Sequence, residues 1–173
     1  GDVYKRQVHD HAVYRHDPGS GSEQLLVTAP ADRELWQPAW SPDRTQIAYI
    51  STKVPTKWMD IPPDEGSDLY VADADGSNQR LILAHDQPGT LIASLAWTAS
   101  GRGLIYTSTP ADPVTDAGQG VRRLDLASGR SVTLVAGAAD AALCRDGSRL
   151  AYVKSGQLWL ADGDGQRPVL RSL

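Results

Sequence analysis

A ten-residue segment that recurs three times constrains the fold of this chain more than any other feature. Each copy begins with a large apolar residue, passes through a tight turn, and ends in a short apolar strand closed by tyrosine. The copies align without a gap, and their closing tyrosines are 57 and 46 residues apart. Intervals of this size are typical of β-propellers, in which each repeat is one supersecondary unit. The three copies span residues 40–49, 97–106 and 143–152.

The second half of the repeat recurs as well. Residues 69–76 match residues 158–165, residues 121–125 form a looser copy, and residues 13–17 form a copy without its first half. Short apolar runs bounded by Gly, Pro, Asp and Ser predict antiparallel strands. The sequence therefore predicts an all-β fold: a partial β-propeller of about three and a half four-stranded antiparallel blades. The predicted units are a half blade at 8–30 and blades at 31–85, 86–137 and 138–173, all within one domain.

The alignment also predicts which side chains pack between blades. The residues predicted to be buried at blade-to-blade contacts are Trp40, Ile47, Tyr49, Trp97, Ile105, Tyr106, Leu143, Leu150 and Tyr152.

These segments resemble the WD40-like repeat of the TolB family. Residues 40–43 read Trp-Ser-Pro-Asp and residues 47–49 read Ile-Ala-Tyr, as in the family signature of an aromatic residue, Ser-Pro-Asp-Gly and an apolar strand. The resemblance covers residues 8–173. It implies a propeller that has six to eight blades when complete. The departures from the signature are Arg44 in place of Gly, Ala99-Ser100 in place of Pro-Asp, and Arg145 in place of Pro.

The resemblance implies a non-catalytic interaction or scaffold propeller, bacterial and placed in the periplasm or cell envelope. Two alternatives stay open. One is the gating propeller of a prolyl-oligopeptidase-like serine peptidase whose catalytic domain is not in this chain. The other is an envelope sensor or lipoprotein domain that binds sugar or peptide. The sequence holds no Gly-x-Ser-x-Gly elbow and no phosphate-binding loop, so this segment is predicted to be non-enzymatic and without a cofactor.

Charge and hydropathy restrict the partners. The net charge is −4, whereas a broad nucleic-acid surface usually carries the opposite sign. No run approaches the 18 apolar residues of a membrane-spanning helix. We therefore expect a protein or peptide partner, no nucleic acid and no direct membrane insertion. The sequence leaves the oligomeric state open.

The first seven residues look foreign to the fold. Residues 2–7 read Asp-Val-Tyr-Lys-Arg-Gln, which resembles the translated end of a transposase adapter used in DNA library preparation. On this interpretation residues 1–7 are an artefact of a metagenomic fragment, and such scars are excluded from fold reasoning. Any signal peptide or lipid anchor would then have been lost with the true start.

One interruption of the repeat marks a candidate binding loop. Four residues join the second and third strands of the last predicted blade, but residues 51–68 and 107–120 fill the same place in the other two. Loops on one face of a propeller usually carry its binding function. Large apolar side chains are costly to expose without a purpose. The candidate binding residues are Trp58, Met59, Asp60 and Ile61, with folding back over their own blade as the alternative.

Three other motifs are predicted to be structural. His9, Asp10, His11 and His16 lack a third ligand at fixed spacing, so no metal site is predicted. Residues 73–76 and 162–165 resemble calcium loops but have Gly at the fourth position rather than the sixth, which favours turns. The single cysteine, Cys144, aligns with Ser41 and Thr98 and is predicted to be an inert strand residue.

Overall fold

The computed structural model describes residues 11–53, 66–85, 90–110 and 118–163, and the backbone of residues 169–171. These ranges hold fourteen β-strands. Within them, no helix is long and apolar enough to cross a membrane. The strands are β1 (Ala12–His16), β2 (Glu23–Thr28), β3 (Arg33–Trp40), β4 (Gln46–Lys53), β5 (Ser67–Asp73), β6 (Arg80–Leu83), β7 (Thr90–Trp97), β8 (Gly103–Pro110), β9 (Gly120–Asp125), β10 (Ser131–Ala136), β11 (Ala138–Leu143), β12 (Arg149–Lys154), β13 (Gln157–Asp162) and β14 (Val169–Arg171).

The strands form four antiparallel sheets in chain order. β1 and β2 make a two-stranded sheet, and β3–β6, β7–β10 and β11–β14 each make a four-stranded meander. The first strands of neighbouring sheets contact one another, as blades do around a propeller axis. The ring does not close within the described residues. The predicted fold, a partial propeller of about three and a half blades, is confirmed. The foreign origin of residues 1–7 and the single-domain assignment remain predictions.

Alternation along the second strand of each blade builds the cores between sheets. Ile47 and Tyr49 of β4 pack towards the two-stranded sheet, whereas Ala48 and Ile50 pack towards the next blade. Between the second and third four-stranded sheets, Ile105 of β8 packs in the same way against Leu150 and Tyr152 of β12. Each of these cores lies between blades, so a blade needs its neighbours to bury its apolar surface. The equivalents that face the preceding sheet are Leu104, Tyr106, Leu150 and Tyr152.

Two of the nine predicted core residues are less buried than expected. Trp40 and Leu143, each the last residue of the first strand of its blade, are only half-buried. Trp97, their equivalent in the second four-stranded sheet, is 7 % exposed. All three side chains line an open cavity at the blade ends. The Trp97 indole also donates a hydrogen bond from Nε1 to the Ala39 carbonyl at 2.8 Å.

The outward face of the last sheet shows where the propeller is open. Ala48 of β4 pairs with Val71 of β5, and both side chains are fully buried against the next blade. The equivalent pair in the last sheet, Ala151 and Leu160, is half-buried. An apolar face that is sealed in the preceding blades is therefore partly exposed here.

Candidate functional site

The two long connections leave from one edge of the blades, as predicted. β4 ends at Lys53 and β5 begins at Ser67, while β8 ends at Pro110 and β9 begins at Gly120. In the last blade, β12 and β13 are joined by a two-residue turn. We call this side of the propeller the insertion edge. The four candidate residues of the first connection, 58–61, lie outside the described residues, so their binding role remains a prediction.

A cavity of about 370 Å³ opens at the insertion edge between the first and second four-stranded sheets. Its walls are mainly apolar and come from Trp36 of β3 and from Leu91 and Ile92 of β7. At its rim the hydroxyls of Thr52 and Ser67 are hydrogen-bonded at 2.8 Å. The volume falls in the range of small-ligand pockets, which are typically apolar with a few convergent polar groups. We call this space the insertion-edge cavity.

A β-bulge in β3 shapes one wall of the insertion-edge cavity. The register between β3 and β4 shifts between Trp36 and Ala39. Between them Gln37 has a φ of 48°, in the left-handed region that costs a non-glycine residue about 1–2 kcal/mol. Bulges re-aim side chains and are frequent beside binding sites. Since β7 and β11 also shift register against their partners, the bulge is a feature of the repeat.

A polar network lies next to the insertion-edge cavity and joins strands of the first four-stranded sheet. Arg33 donates to the Ser51 hydroxyl from Nε at 2.7 Å and pairs with Asp68 at 2.6 Å. The other Asp68 oxygen accepts the backbone N–H of His85 at 2.9 Å and lies 2.8 Å from its Nδ1. The Asp68 residue is 7 % exposed. Satisfied buried networks rigidify their surroundings, so the network holds the cavity's first wall in place.

The contact between Asp68 and His85 resembles the orienting half of a hydrolytic triad, but the Ser51 hydroxyl is not placed as its nucleophile. An aspartate that contacts histidine is the orienting half of such an arrangement, and the nucleophile must then pair with the histidine. The nearby hydroxyl of Ser51 is instead bonded to Arg33. We therefore assign the network a structural role. Sequence reasoning missed it because Arg33, Asp68 and His85 are far apart in the chain and share no local pattern.

A second cavity, of about 470 Å³, lies at the opposite end of β3, where β3, β7 and β11 lead into their turns. We call it the turn-edge cavity. Aligned residues of three blades form it: Trp40, Trp97 and Leu143 supply apolar walls, and Arg44 and Arg145 supply cationic ones. Sequence reasoning placed three of these side chains in the core. Their alignment at strand ends was the signal that could have indicated a shared site.

The turns beside the turn-edge cavity share one hydrogen-bond pattern. The Ser41 hydroxyl accepts the backbone N–H of Gln46 at 2.9 Å and donates to Asp43 at 2.6 Å. Cys144 takes the same position, since its Sγ accepts the N–H of Arg149 at 2.9 Å and donates to Asp146 at 2.8 Å. The prediction of a strand position for Cys144 is therefore corrected: it follows β11 and is part of the turn.

Hydrogen bonds in these turns keep the acidic groups ionised. The Cys144 thiol, followed by the backbone N–H and hydroxyl of Ser148, lowers the pKa of Asp146 to about 2. The Ser41 hydroxyl, followed by donors from Thr45, lowers the pKa of Asp43. Both carboxylates are directed at donors within their own turns and neither lines the turn-edge cavity.

Of the two acidic turns predicted from the sequence, residues 73–76 lie within the described residues, whereas residues 164 and 165 of the other lie outside them. Asp75 accepts the backbone N–H of Ser77 at 2.9 Å, and Gly76 has a φ of 85°, so residues 73–76 form the predicted turn. A Cβ at Gly76 would lie 1.9 Å from the Leu26 carbonyl oxygen of the preceding sheet. His16 lies 3.7 Å from Glu23, and no group of three metal-ligating side chains occurs among the described residues. His9 and Asp10 lie outside those residues.

Comparison with known proteins places the chain by its fold. No protein-family profile and no curated protein sequence matches it. Among solved structures, puromycin hydrolase is similar with a TM-score of 0.62 and 22 % identity, over 90 % of this chain and 24 % of that one. A structure from a study of two prolyl endopeptidases has a TM-score of 0.64 and 16 % identity, over 97 % and 28 % of the two chains. A protein described as TolB from Agrobacterium tumefaciens has a TM-score of 0.51 and 14 % identity, over 91 % and 68 %.

These neighbours and the blade architecture define the class of the protein as a β-propeller. This chain spans about a quarter of the length of the hydrolase and the endopeptidase. The resemblance to TolB and prolyl-oligopeptidase propellers is supported at the level of fold. The finer assignment to the WD40-like repeat of the TolB family remains a prediction.

Proposed function

We propose that this chain is part of a non-catalytic β-propeller that binds a protein or peptide partner at its insertion edge. The observation that carries the proposal is the apolar insertion-edge cavity, at the edge from which both long connections leave. Trp36, Leu91 and Ile92 offer a pocket for one aliphatic or aromatic side chain. Such an anchor in a desolvated pocket supplies much of the binding energy of protein interfaces.

The polar surroundings of the cavity fit the same role. Glu34 and Lys53 lie at the rim with the paired hydroxyls of Thr52 and Ser67. A polar rim around an apolar centre is the usual anatomy of a protein interface. Since the network of Arg33, Asp68 and His85 holds the adjacent strands, the pocket is rigid before it binds. Preorganisation reduces the entropic cost of association.

Filling the cavity tests this proposal. Ala93 is exposed and lines the insertion-edge cavity, so Ala93→Trp should occupy the space with little loss of stability. Peptides selected from a random display library against the full chain provide the probes. We expect Ala93→Trp to weaken the selected peptides at least tenfold in isothermal titration. The matched control is Ala127→Trp, in an exposed turn at the other edge, and it should have no effect. Equal affinity for both variants would refute the proposal.

A second candidate function is the propeller of a prolyl-oligopeptidase-like serine peptidase. The similarity to puromycin hydrolase and to a structure from a study of prolyl endopeptidases favours this possibility. The matched part is 24 % and 28 % of the length of those two chains. Sequencing the locus beyond codon 173 is the test. A hydrolase domain with a Gly-x-Ser-x-Gly elbow would support the peptidase, and further blades alone would support the binding propeller. A periplasmic or cell-envelope location is proposed on the resemblance alone.

A further inference from the structure

Two arginines line the turn-edge cavity at positions where the repeat does not require arginine. Aligned positions of three blades form it, so a ring of similar side chains would be expected around it. Instead, the two departures from the repeat signature that line the cavity are arginines. Arg44 stands where the other turns have Gly101 and Gly147, and Arg145 stands where the first turn has Pro42. Both arginines line the same cavity.

The backbone at Arg44 indicates that the arginine is not there for the turn. Its φ is 61°, close to the 69° of Gly101 and the 72° of Gly147. Glycine adopts this left-handed conformation freely, whereas a side chain with a Cβ is penalised there. The turn of the first four-stranded sheet thus carries strain at a position whose arginine lines the cavity. Strain of this kind concentrates at functional sites.

The walls of the cavity define the ligand. A guanidinium recognises a carboxylate through two parallel hydrogen bonds. The described residues that line the cavity include two arginines and no carboxylate. Trp40, Trp97 and Leu143 supply the apolar surface for the rest of the ligand. A net charge of −4 for the chain disfavours a polyanion such as nucleic acid, and the volume of about 470 Å³ suits a few residues of peptide.

We propose that the turn-edge cavity binds a carboxylate-bearing peptide, with Arg44 and Arg145 pairing with the carboxylate and the indole walls holding its apolar neighbour. This site is independent of the insertion-edge cavity, because the two lie at opposite ends of β3. The carboxylate can come from an acidic side chain or from a peptide C-terminus, and both sources present the same group to a guanidinium.

The test uses the full chain and four short acetylated peptides that contain tryptophan. The first peptide is C-terminally amidated and contains two glutamates. The second is the same amide with glutamine in place of both glutamates. The third is the glutamine peptide with a free C-terminal carboxylate, and the fourth carries a phosphoserine. We expect one of the two carboxylate peptides to bind at least tenfold more tightly than the neutral amide, and more weakly as NaCl rises. Which carboxylate peptide binds identifies the source. Equal binding of the neutral peptide, or preference for the phosphopeptide, would overturn the proposal.

A pair of double variants assigns the binding to this cavity. Arg44→Gly with Arg145→Ala removes both guanidinium groups, and Gly relieves the positive φ at residue 44. This variant should therefore fold and melt no lower than the parent. We expect it to lose at least tenfold in affinity for the carboxylate peptide. Arg102→Ala with Arg123→Ala changes the net charge equally but lies outside the cavity lining, and should bind as the parent does. Equal losses in the two variants would show that only net charge matters and would refute the site.

Discussion

Replacing Trp97 by alanine should destabilise the propeller much more than the same change at Trp40, although the two residues are aligned in the repeat. Trp97 is 7 % exposed and packs in the core between the first and second four-stranded sheets. Truncating a buried aromatic side chain costs about 3–5 kcal/mol. The change also removes the donor to the Ala39 carbonyl, and losing a buried partner adds about 1–3 kcal/mol. We therefore expect Trp97→Ala to lower the free energy of unfolding by about 4–8 kcal/mol.

For Trp40→Ala the expected loss is about 2 kcal/mol, because that side chain is half-buried and loses only part of the transfer energy. Urea titration followed by circular dichroism gives both free energies of unfolding, provided that the transitions are cooperative. Leu25→Ala serves as the control, since Leu25 is 51 % exposed and its loss should stay within about 0.5 kcal/mol. Equal losses of stability for Trp40→Ala and Trp97→Ala would refute the conclusion that Trp97 is the more deeply buried of the two tryptophans.

Three further predictions follow from the polar groups. Asp68→Asn should lower the free energy of unfolding, measured by urea titration, by about 2–3 kcal/mol. This is less than the loss expected on breaking a fully buried ion pair, because the Arg33 side chain keeps 19 % of its exposure. An unchanged free energy of unfolding would refute the structural role of the network. Cys144→Ser should raise the free energy of unfolding by about 0.5–1 kcal/mol, since Ser41 makes the same two contacts and accepts its backbone N–H at the same 2.9 Å; a loss would show that sulfur is preferred in that turn. Burial, with a smaller contribution from a neighbouring tyrosine, raises the pKa of Tyr49 to about 12 from 10.0. The unfolded chain then ionises first, so stability should be constant below about pH 10 and fall between pH 10 and 12. Tyr49→Phe should make that fall shallower, and an unchanged slope would contradict the assigned burial.

The blade pattern was predictable because it depends on local chemistry that recurs. Turn residues and strand alternation specify where each strand starts and which face each residue takes. Ile47, Tyr49 and Tyr152 are buried between sheets as the alignment requires. The turn role of residues 73–76 follows in the same way from the position of Gly76, whose lack of a Cβ lets the preceding sheet approach.

The cavities and the polar network were not predictable, since each of them joins residues from different strands or blades. Arg33 and Asp68 meet only when β3 and β5 are placed on either side of β4. Arg44 and Arg145 are ordinary departures from a repeat signature until three strand ends converge on one space. The sequence by itself determined the repeat, the strand faces and the edge that bears the long connections. The tertiary structure alone decided which aligned tryptophan is buried and which side chains share a cavity, because burial and proximity depend on how whole blades stack.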